Sequence, residues 1–348
     1  MISVIAIFDI GKTNKKVILY DEKYRIISEQ TRQFEEVRDE NGNSCDDITA
    51  ITSWVSGTLN FLQLLSNISL KGFNVSAYGA SFVHLDKNFN IVAPLYNYLN
   101  PYPAALLKKF YATYGDEVRL STETASPPLG NLNSGLQLFR IKHERPTLYN
   151  TITYSLHLPQ YVSCLISSRA CSDITSIGCH TYLWDFQKKQ YHHWVIQEGI
   201  NKKFPPIVKG DSVVPMRSVN EKHDIVVGAG LHDSSAALIP YLMTFSEPFI
   251  LLSTGTWCIS LNPFNDSPLT AEELEKDCLC YLSFTGDPVK ASRLFTGQEH
   301  EVQTKKLAEH FKKSKDYYQS IRFDHTIYNR LKNRLFIMGG CLRILPFL

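Results

Sequence analysis

Ile2-Ser3-Val4-Ile5-Ala6-Ile7-Phe8-Asp9-Ile10-Gly11-Lys12-Thr13-Asn14-Lys15-Lys16-Val17-Ile18-Leu19-Tyr20 is the stretch from which the fold can be read. Ile2 to Phe8 is an apolar run rich in β-branched residues, which predicts a buried strand. Asp9, Gly11, Thr13 and Asn14 supply a tight polar turn, and Lys16 to Tyr20 predicts a second strand pairing back. A carboxylate then ends a buried strand beside a glycine that lets backbone N–H groups approach an anion. Thr13 and Asn14 add side-chain donors. Such a loop can hold phosphate oxygens while the aspartate takes the accompanying Mg2+. An ordinary hairpin with a polar tip fits the same residues.

A similar stretch lies far downstream. Pro248 to Pro263 reads Pro-Phe-Ile-Leu-Leu-Ser-Thr-Gly-Thr-Trp-Cys-Ile-Ser-Leu-Asn-Pro. Phe249 to Leu252 predicts a buried strand, Ser253-Thr254-Gly255-Thr256 a polar turn, and Trp257 to Leu261 a returning strand. Two strand–turn–strand elements with Gly and Thr at the tip suggest two related lobes facing one nucleotide.

The chain has 348 residues, 44% hydrophobic and 20% charged, which is globular composition with length for two domains. Net charge is +2 and the pI is near 8.0, with no dominant basic patch, so nucleic-acid binding is not indicated. The eight cysteines contain no Cys-x-x-Cys pair, and Cys278 and Cys280 stand too close for metal-ligand spacing. They read as free thiols of a cytoplasmic protein. Asp9 interrupts the first apolar run and no basic segment precedes it, so the N-terminus does not read as a signal peptide. No segment approaches the roughly 18 uninterrupted apolar residues of a membrane helix.

Between the hairpins, Arg25 to Thr31 predicts a third strand and Glu35 to Asp47 an acidic surface loop. Asp46 is placed to cap a helix carrying Ile48, Ile51, Val55, Leu59, Leu62 and Leu65 on one face. Phe73 to Ala77 and Phe82 to Leu85 predict strands around Tyr78-Gly79-Ala80-Ser81. Helices are expected over Pro103–Tyr114, Gly135–His143, Leu158–Ser167 and Trp184–Gly199, with a loop over Ser121–Asn133. A domain border is expected near residue 222, giving units 1–222 and 223–348. Asp224 to Val227 then predicts a strand, and Ser234 to Leu242 a helix limited by Pro240. Residues 290–332 read as mostly helical.

Asp233 follows a strand and the turn Gly228-Ala229-Gly230-Leu231-His232, and begins a helix of small residues. Phosphoryl transfer to an alcohol needs a base for the hydroxyl proton and groups that neutralise phosphate oxygens. Asp233 can be that base, Asp9 the Mg2+ partner, and the Gly11 and Gly255 turns the phosphate clamps. A helix N-cap is the other reading of Asp233, and a hydrogen-bonded structural residue the other reading of His232.

Asp9-Ile10-Gly11-Lys12-Thr13-Asn14, Gly230-Leu231-His232-Asp233, Ser253-Thr254-Gly255-Thr256-Trp257 and Gly339-Gly340 occur in the order and spacing of the FGGY carbohydrate kinases, which this chain resembles over its whole length. Leu158-Pro159-Gln160-Tyr161 and Ser172-Asp173-Ile174-Thr175-Ser176 are similar to two further family segments. The resemblance implies an α/β fold of two ribonuclease H-like (actin/hexokinase-type ATPase) domains around a central cleft, with sugar mainly on the first and ATP mainly on the second. Family members continue well past the glycine pair. This sequence stops ten residues after Met338, so the second domain is expected to be incomplete.

By the same resemblance Asp9 is the Mg2+-linked acid, and Gly11, Lys12, Thr13 and Asn14 form the first phosphate loop. Gly255 and Thr256 form the second, Gly339 and Gly340 the adenosine loop, and Asp233 is the general base. Tyr78, Gly79, Ala80, Asn97 and His232 fall on the sugar side. Near Tyr96-Asn97-Tyr98 relatives often carry an Asp, which is absent here. The implied activity is ATP-dependent phosphorylation of a ketose such as L-fuculose, L-rhamnulose or D-xylulose. A catalytically silent sugar- or nucleotide-binding relative, or another actin-like ATPase, are the alternatives. The expected partners are the sugar and ATP, without nucleic acid or membrane, and a homodimer is left open.

Overall fold

The computed structural model describes residues 1–216, 225–254, 258–294 and 296–330. The first stretch forms β1 (Ile2–Ile10) and β2 (Lys15–Asp21), antiparallel in a register that sets Ile10 opposite Lys15. Alternating burial along both strands follows from the period of two. β3 (Ile26–Arg32) extends the sheet on the far side of β2. Helix α1 (Ile48–Leu64) then crosses to β4 (Ile68–Ala77), which pairs with β1 in parallel. Leucine and isoleucine recurring at helical spacing bury Ile48, Ile51, Val55, Leu59 and Leu62 of α1 against this sheet. Phe8 meets Trp54 of α1 edge-on, ring centroids 5.2 Å apart.

Helix α2 (Leu158–Ser167) contributes Leu158, Tyr161, Val162 and Ile166 to the same core. β5 (Val213–Pro215) pairs antiparallel with β6 (Val226–Gly228), and β6 and β7 (Leu231–His232) both pair in parallel with β4. The seven-stranded sheet therefore runs β3-β2-β1-β4-β6-β5, with β7 also pairing on the outer side of β4. The border expected near residue 222 falls between β5 and β6, two strands of this one sheet.

Helix α3 (Asp233–Thr244) leads to a second, antiparallel sheet of β8 (Leu251–Ser253), β9 (Cys258–Asn262), β10 (Cys278–Leu282) and β11 (Pro288–Leu294), ordered β8-β9-β11-β10. Leu238 of α3 packs on Leu261, Leu279 and Val289 of this sheet. The helix continues through Pro240 to Thr244, beyond the limit expected from the sequence.

Several local expectations are corrected. Glu35 to Asp47 is a hairpin, Glu36–Arg38 against Ser44–Asp46, turned by Asp39 whose carboxylate accepts from the N–H groups of Asn41 and Asn43. Asp47 rather than Asp46 caps α1, accepting from Ala50 N–H at 2.9 Å. Ser121 to Asn133 begins inside a helix, Glu117–Glu123. Trp184 to Gly199 is no continuous helix, because Asp185 accepts from the N–H groups of Gln187 and Lys188 and closes a small hairpin. Only His193–Gln197 is helical, and it buries Trp194 completely. Lys290 to Leu294 is strand, held by ladders to both β9 and β10.

Candidate functional site

β1, β4 and β7 run parallel and end at the same edge. Asp9 and Leu231 flank Ser76 of β4 from opposite sides, and Ile10 and His232 flank Ala77. Ligands of open α/β sheets gather beyond such carboxyl ends. Asp9 and Asp233 are thus delivered to the same edge by strands two positions apart, roughly 10 Å at the usual strand spacing. Their charges interact: burial first, and the Asp233 carboxylate second, raise the pKa of Asp9, with Lys16 opposing.

Asp233 is the first residue of α3, not its cap. Its Oδ1 accepts from the N–H of Ser234 at 2.6 Å and lies 3.2 Å from Nε2 of His232, while the side chain stays 40% exposed. His232 is buried, and its backbone N–H donates to Oγ1 of Thr175. Thr175 belongs to the short helix Ile174–Ile177, whose start is organised by the Asp173 carboxylate. The turn before Asp233 is clamped on both sides. Gly230 N–H donates to Oδ1 of Asn74 at 3.0 Å, and its carbonyl accepts from Nε2 of Gln160 at 2.7 Å.

Tyr78, Gly79 and Ala80 leave β4 beside this cluster. A Cβ on Gly79 would stand 3.0 Å from the His232 ring. Ala80 takes φ +63° and its carbonyl accepts from Gln137. Tyr78 donates its hydroxyl to Oδ2 of Asp46 at 2.7 Å. Asn97 turns its own loop, Oδ1 accepting from Leu99 N–H at 3.0 Å. The neighbouring Tyr98 ring meets that of Tyr78 at a tilt of 58°, centroids 5.9 Å apart, and its hydroxyl pKa is pushed up to about 12 by burial, then by Asp46 and Asp233.

Gly11 N–H donates to the Asn14 carbonyl at 2.9 Å, closing the expected turn, with Thr13 and Asn14 exposed at its tip. Lys12 departs from the reading as a phosphate donor. Its ammonium lies 2.6 Å from Oδ2 of Asp46, between the rings of Tyr78 and Tyr98. Gly255, Thr256, Gly339 and Gly340 lie outside the described residues, although β8 and β9 bracket the first two as an antiparallel pair.

Asp46 is the residue the sequence reading placed wrongly. It sits almost buried between Lys12, Tyr78 and Lys15, whose Nζ is 3.5 Å away and whose side chain is 2% exposed. Two adjacent acids, Asp46 and Asp47, divide the work, one facing inward and one capping. Removing one partner of a buried ion pair costs about 3–5 kcal/mol. Asp46→Ala is expected to lower stability by that order in urea titration, because the Lys15 ammonium loses its counter-charge. Asp46→Asn, which keeps the hydrogen bond from Tyr78, is expected to lose less.

His84, His157 and His232 are buried and His180 is half-buried, and burial favours the uncharged imidazole at all four. Burial lowers His84 and His157 to about 3, and His180 and His232 below the ordinary imidazole value. Unfolded, each titrates near pH 6.5. The unfolded chain therefore binds more protons below that pH, so stability held above it is lost as pH falls. Asp173 acts oppositely, since burial raises it to about 6 and the folded form is protonated first between there and 3.8. At pH 5 an imidazole that stays neutral costs about 2 kcal/mol, so His84 and His157 alone outweigh one carboxyl. The urea midpoint is expected to fall steeply from pH 7 to 5, and His84→Gln to shallow that fall.

The fold and its site define a two-unit α/β protein with paired acids at the edge of the first sheet. Residues 4–240 match the model of the FGGY family of carbohydrate kinases, N-terminal domain, and residues 246–330 match that of carbohydrate kinase FGGY, C-terminal domain. The chain belongs to the FGGY family of carbohydrate kinases. It is 24% identical over 264 residues to a rhamnulokinase of Oceanobacillus iheyensis, covering 72% of this chain and 54% of that one. A rhamnulokinase of Mannheimia succiniciproducens is 25% identical over 271 residues, with 73% and 54% covered. The chain thus spans about half the length of these relatives. Among solved structures, a carbohydrate kinase from Novosphingobium aromaticivorans superposes with a TM-score of 0.76 at 26% identity, over 86% of this chain and 66% of that one. A ligand-bound xylulose kinase from Lactobacillus acidophilus superposes at 0.73 with 13% identity, over 91% and 65%. These neighbours share the expected two-domain α/β fold. Among the described residues no helix is long and apolar enough to cross a membrane.

Proposed function

We propose that this chain phosphorylates a hydroxyl of a ketose with ATP. The observation that carries the reading is the delivery of Asp9 and Asp233 to one sheet edge, where the Asp233 carboxylate helps to raise the pKa of Asp9. Asp233, fixed by Ser234 N–H and beside His232, accepts the sugar hydroxyl proton. Tyr78, Gly79, Ala80, Asn97 and His232 form the sugar side. Gly11, Thr13 and Asn14, with Gly255 and Thr256, face phosphate, and Gly339 and Gly340 face adenosine.

The donor set at Asp9 fits Mg2+, because carboxylate oxygens suit a hard cation and two mutually repelling acids gain from one. Asp9 would hold the ion, which in such sites neutralises phosphate oxygens. Lys12, tied to Asp46, fixes the first loop against Tyr78 rather than reaching freely outward. The relatives named for rhamnulose make L-rhamnulose the first sugar to try. L-fuculose and D-xylulose follow.

A coupled ADP-release assay with these ketoses, simple polyols and a sugar-free blank tests the reading. ADP release that depends on one ketose is the expected result. Release without sugar would replace it with another actin-like ATPase. No release, with sugar or ATP still binding in calorimetry, would replace it with a silent relative.

A further inference from the structure

Cys179, His180 and His232 each offer one donor atom, and the three atoms lie within 4.8 Å of one another. Cys179 is completely buried and His232 is 3% exposed. Nδ1 of His180 and Nδ1 of His232 are buried without a hydrogen-bond partner among the described residues. The second ring nitrogen of His232, Nε2, lies 3.2 Å from the Asp233 carboxylate. With the proton on that side, Nδ1 is left as a bare lone pair. Buried polar nitrogens are nearly always satisfied, so two orphans in one cluster call for a ligand.

The surroundings are built to hold the cluster. The Tyr281 ring packs on His232 at 5.2 Å and on His180 at 6.0 Å. Gly79 leaves room beside it, since a Cβ there would stand 2.9 Å from the Cys179 sulfur and 3.0 Å from the His232 ring. The Cys179 thiol donates to the Ser176 carbonyl at 3.2 Å, and the backbone N–H of Ala80 also faces its sulfur.

We propose that Cys179, His180 and His232 form a site for a thiophilic divalent cation such as Zn2+, with Asp233 as the outer carboxylate on His232. One sulfur and two imidazoles suit Zn2+ and not Mg2+. Zinc bonds near 2.0–2.3 Å in a tetrahedron put donors roughly 3.3–3.8 Å apart, so the three move inward by about 1 Å on binding. Water fills the fourth position, and the thiol releases its proton to solvent. Carboxylate–histidine–metal arrays of this type orient the ligating ring. The site shares His232 and Asp233 with the proposed sugar side, but metal binding there needs neither ATP nor sugar and is tested apart from phosphoryl transfer.

The test uses tag-free, reduced protein and the metal ions alone. Equilibrium dialysis with Zn2+ is expected to give one ion per chain. Co2+ is expected to give a thiolate-to-metal charge-transfer band, with excess Mg2+ displacing neither ion. Cys179→Ser and His180→Gln, checked for folding by circular dichroism, are each expected to remove the band and weaken Zn2+ by more than the roughly 10–100-fold of an outer-partner change. If Cys179→Ser does not fold, His180→Gln at its half-buried position decides. Wild-type protein that binds no Zn2+, or binds Co2+ without the band, overturns the proposal. So does loss of binding in His192→Gln alone, which would place the ion at the separate Glu123, His192 and His193 cluster.

Discussion

Asp233→Ala is expected to lower kcat by about 100- to 10,000-fold, the range a positioned proton acceptor contributes, while thermal unfolding stays close to that of the parent. The separation follows from where the side chain sits. Asp233 is 40% exposed and contributes no apolar packing, and its backbone, not its carboxylate, starts α3. The carboxylate does accept from Ser234 N–H, so a loss of about 1 kcal/mol is expected in stability. Steady-state kinetics on the best ketose, paired with a melting curve, measures both. Parent-like turnover would remove Asp233 from the chemistry. Unfolding in proportion to the lost activity would make it a helix-start residue only.

Gly230→Ala is expected to cost more than about 3 kcal/mol, through clash and backbone strain together. Gly230 takes φ +81°, and an added Cβ would stand 2.5 Å from the Pro159 carbonyl oxygen and 2.7 Å from its carbon. Those are backbone atoms at the start of α2, and they cannot step aside as a flexible side chain could. The peptide is also clamped by Asn74 and Gln160, so relief by rotation would break both bonds. Gly199 is the internal control. It takes φ +66° with nothing within 4 Å of the added Cβ. Gly199→Ala therefore meets strain alone, about 1 kcal/mol. Urea denaturation of the two variants separates the contributions. Because Gly230 precedes His232 and Asp233, folded Gly230→Ala protein is also expected to lose activity.

These two residues also show what could be read from a linear chain. The Gly-x-His-Asp spacing announced a strand, a turn and an acid at a helix start, all local matters of φ, hydrogen-bonding capacity and periodicity. The clamp on Gly230 could not be read, because Asn74 and Gln160 are distant in sequence and meet it only when β4 and α2 pack. Asp46 shows the same limit. As a residue before an apolar periodic run it suited a cap, yet the adjacent Asp47 suited it equally, and only the burial of Lys15 turned Asp46 inward.

The Trp184 to Gly199 segment marks a second limit. Its apolar residues recur near helical spacing, but the Asp185 side chain competes for the backbone N–H groups of Gln187 and Lys188, and a turn wins. Burial of Trp194 among Phe110, Phe139 and Tyr182 then fixes the remainder. Periodicity cannot weigh a turn-forming side chain against a core that has not yet been assembled.

By itself the sequence determined the first paired strands, helices α1 and α2, the Gly11 bend and the family pattern, since each depends on residues within one turn or one strand pair. The tertiary structure alone decided which side chains share a site. Asp9 and Asp233 come together because β1 and β7 both pair with β4, and Cys179 meets His232 because a short helix packs beside that edge. Contacts of that kind depend on loop closure over tens to hundreds of residues, which leaves no periodic trace along the chain.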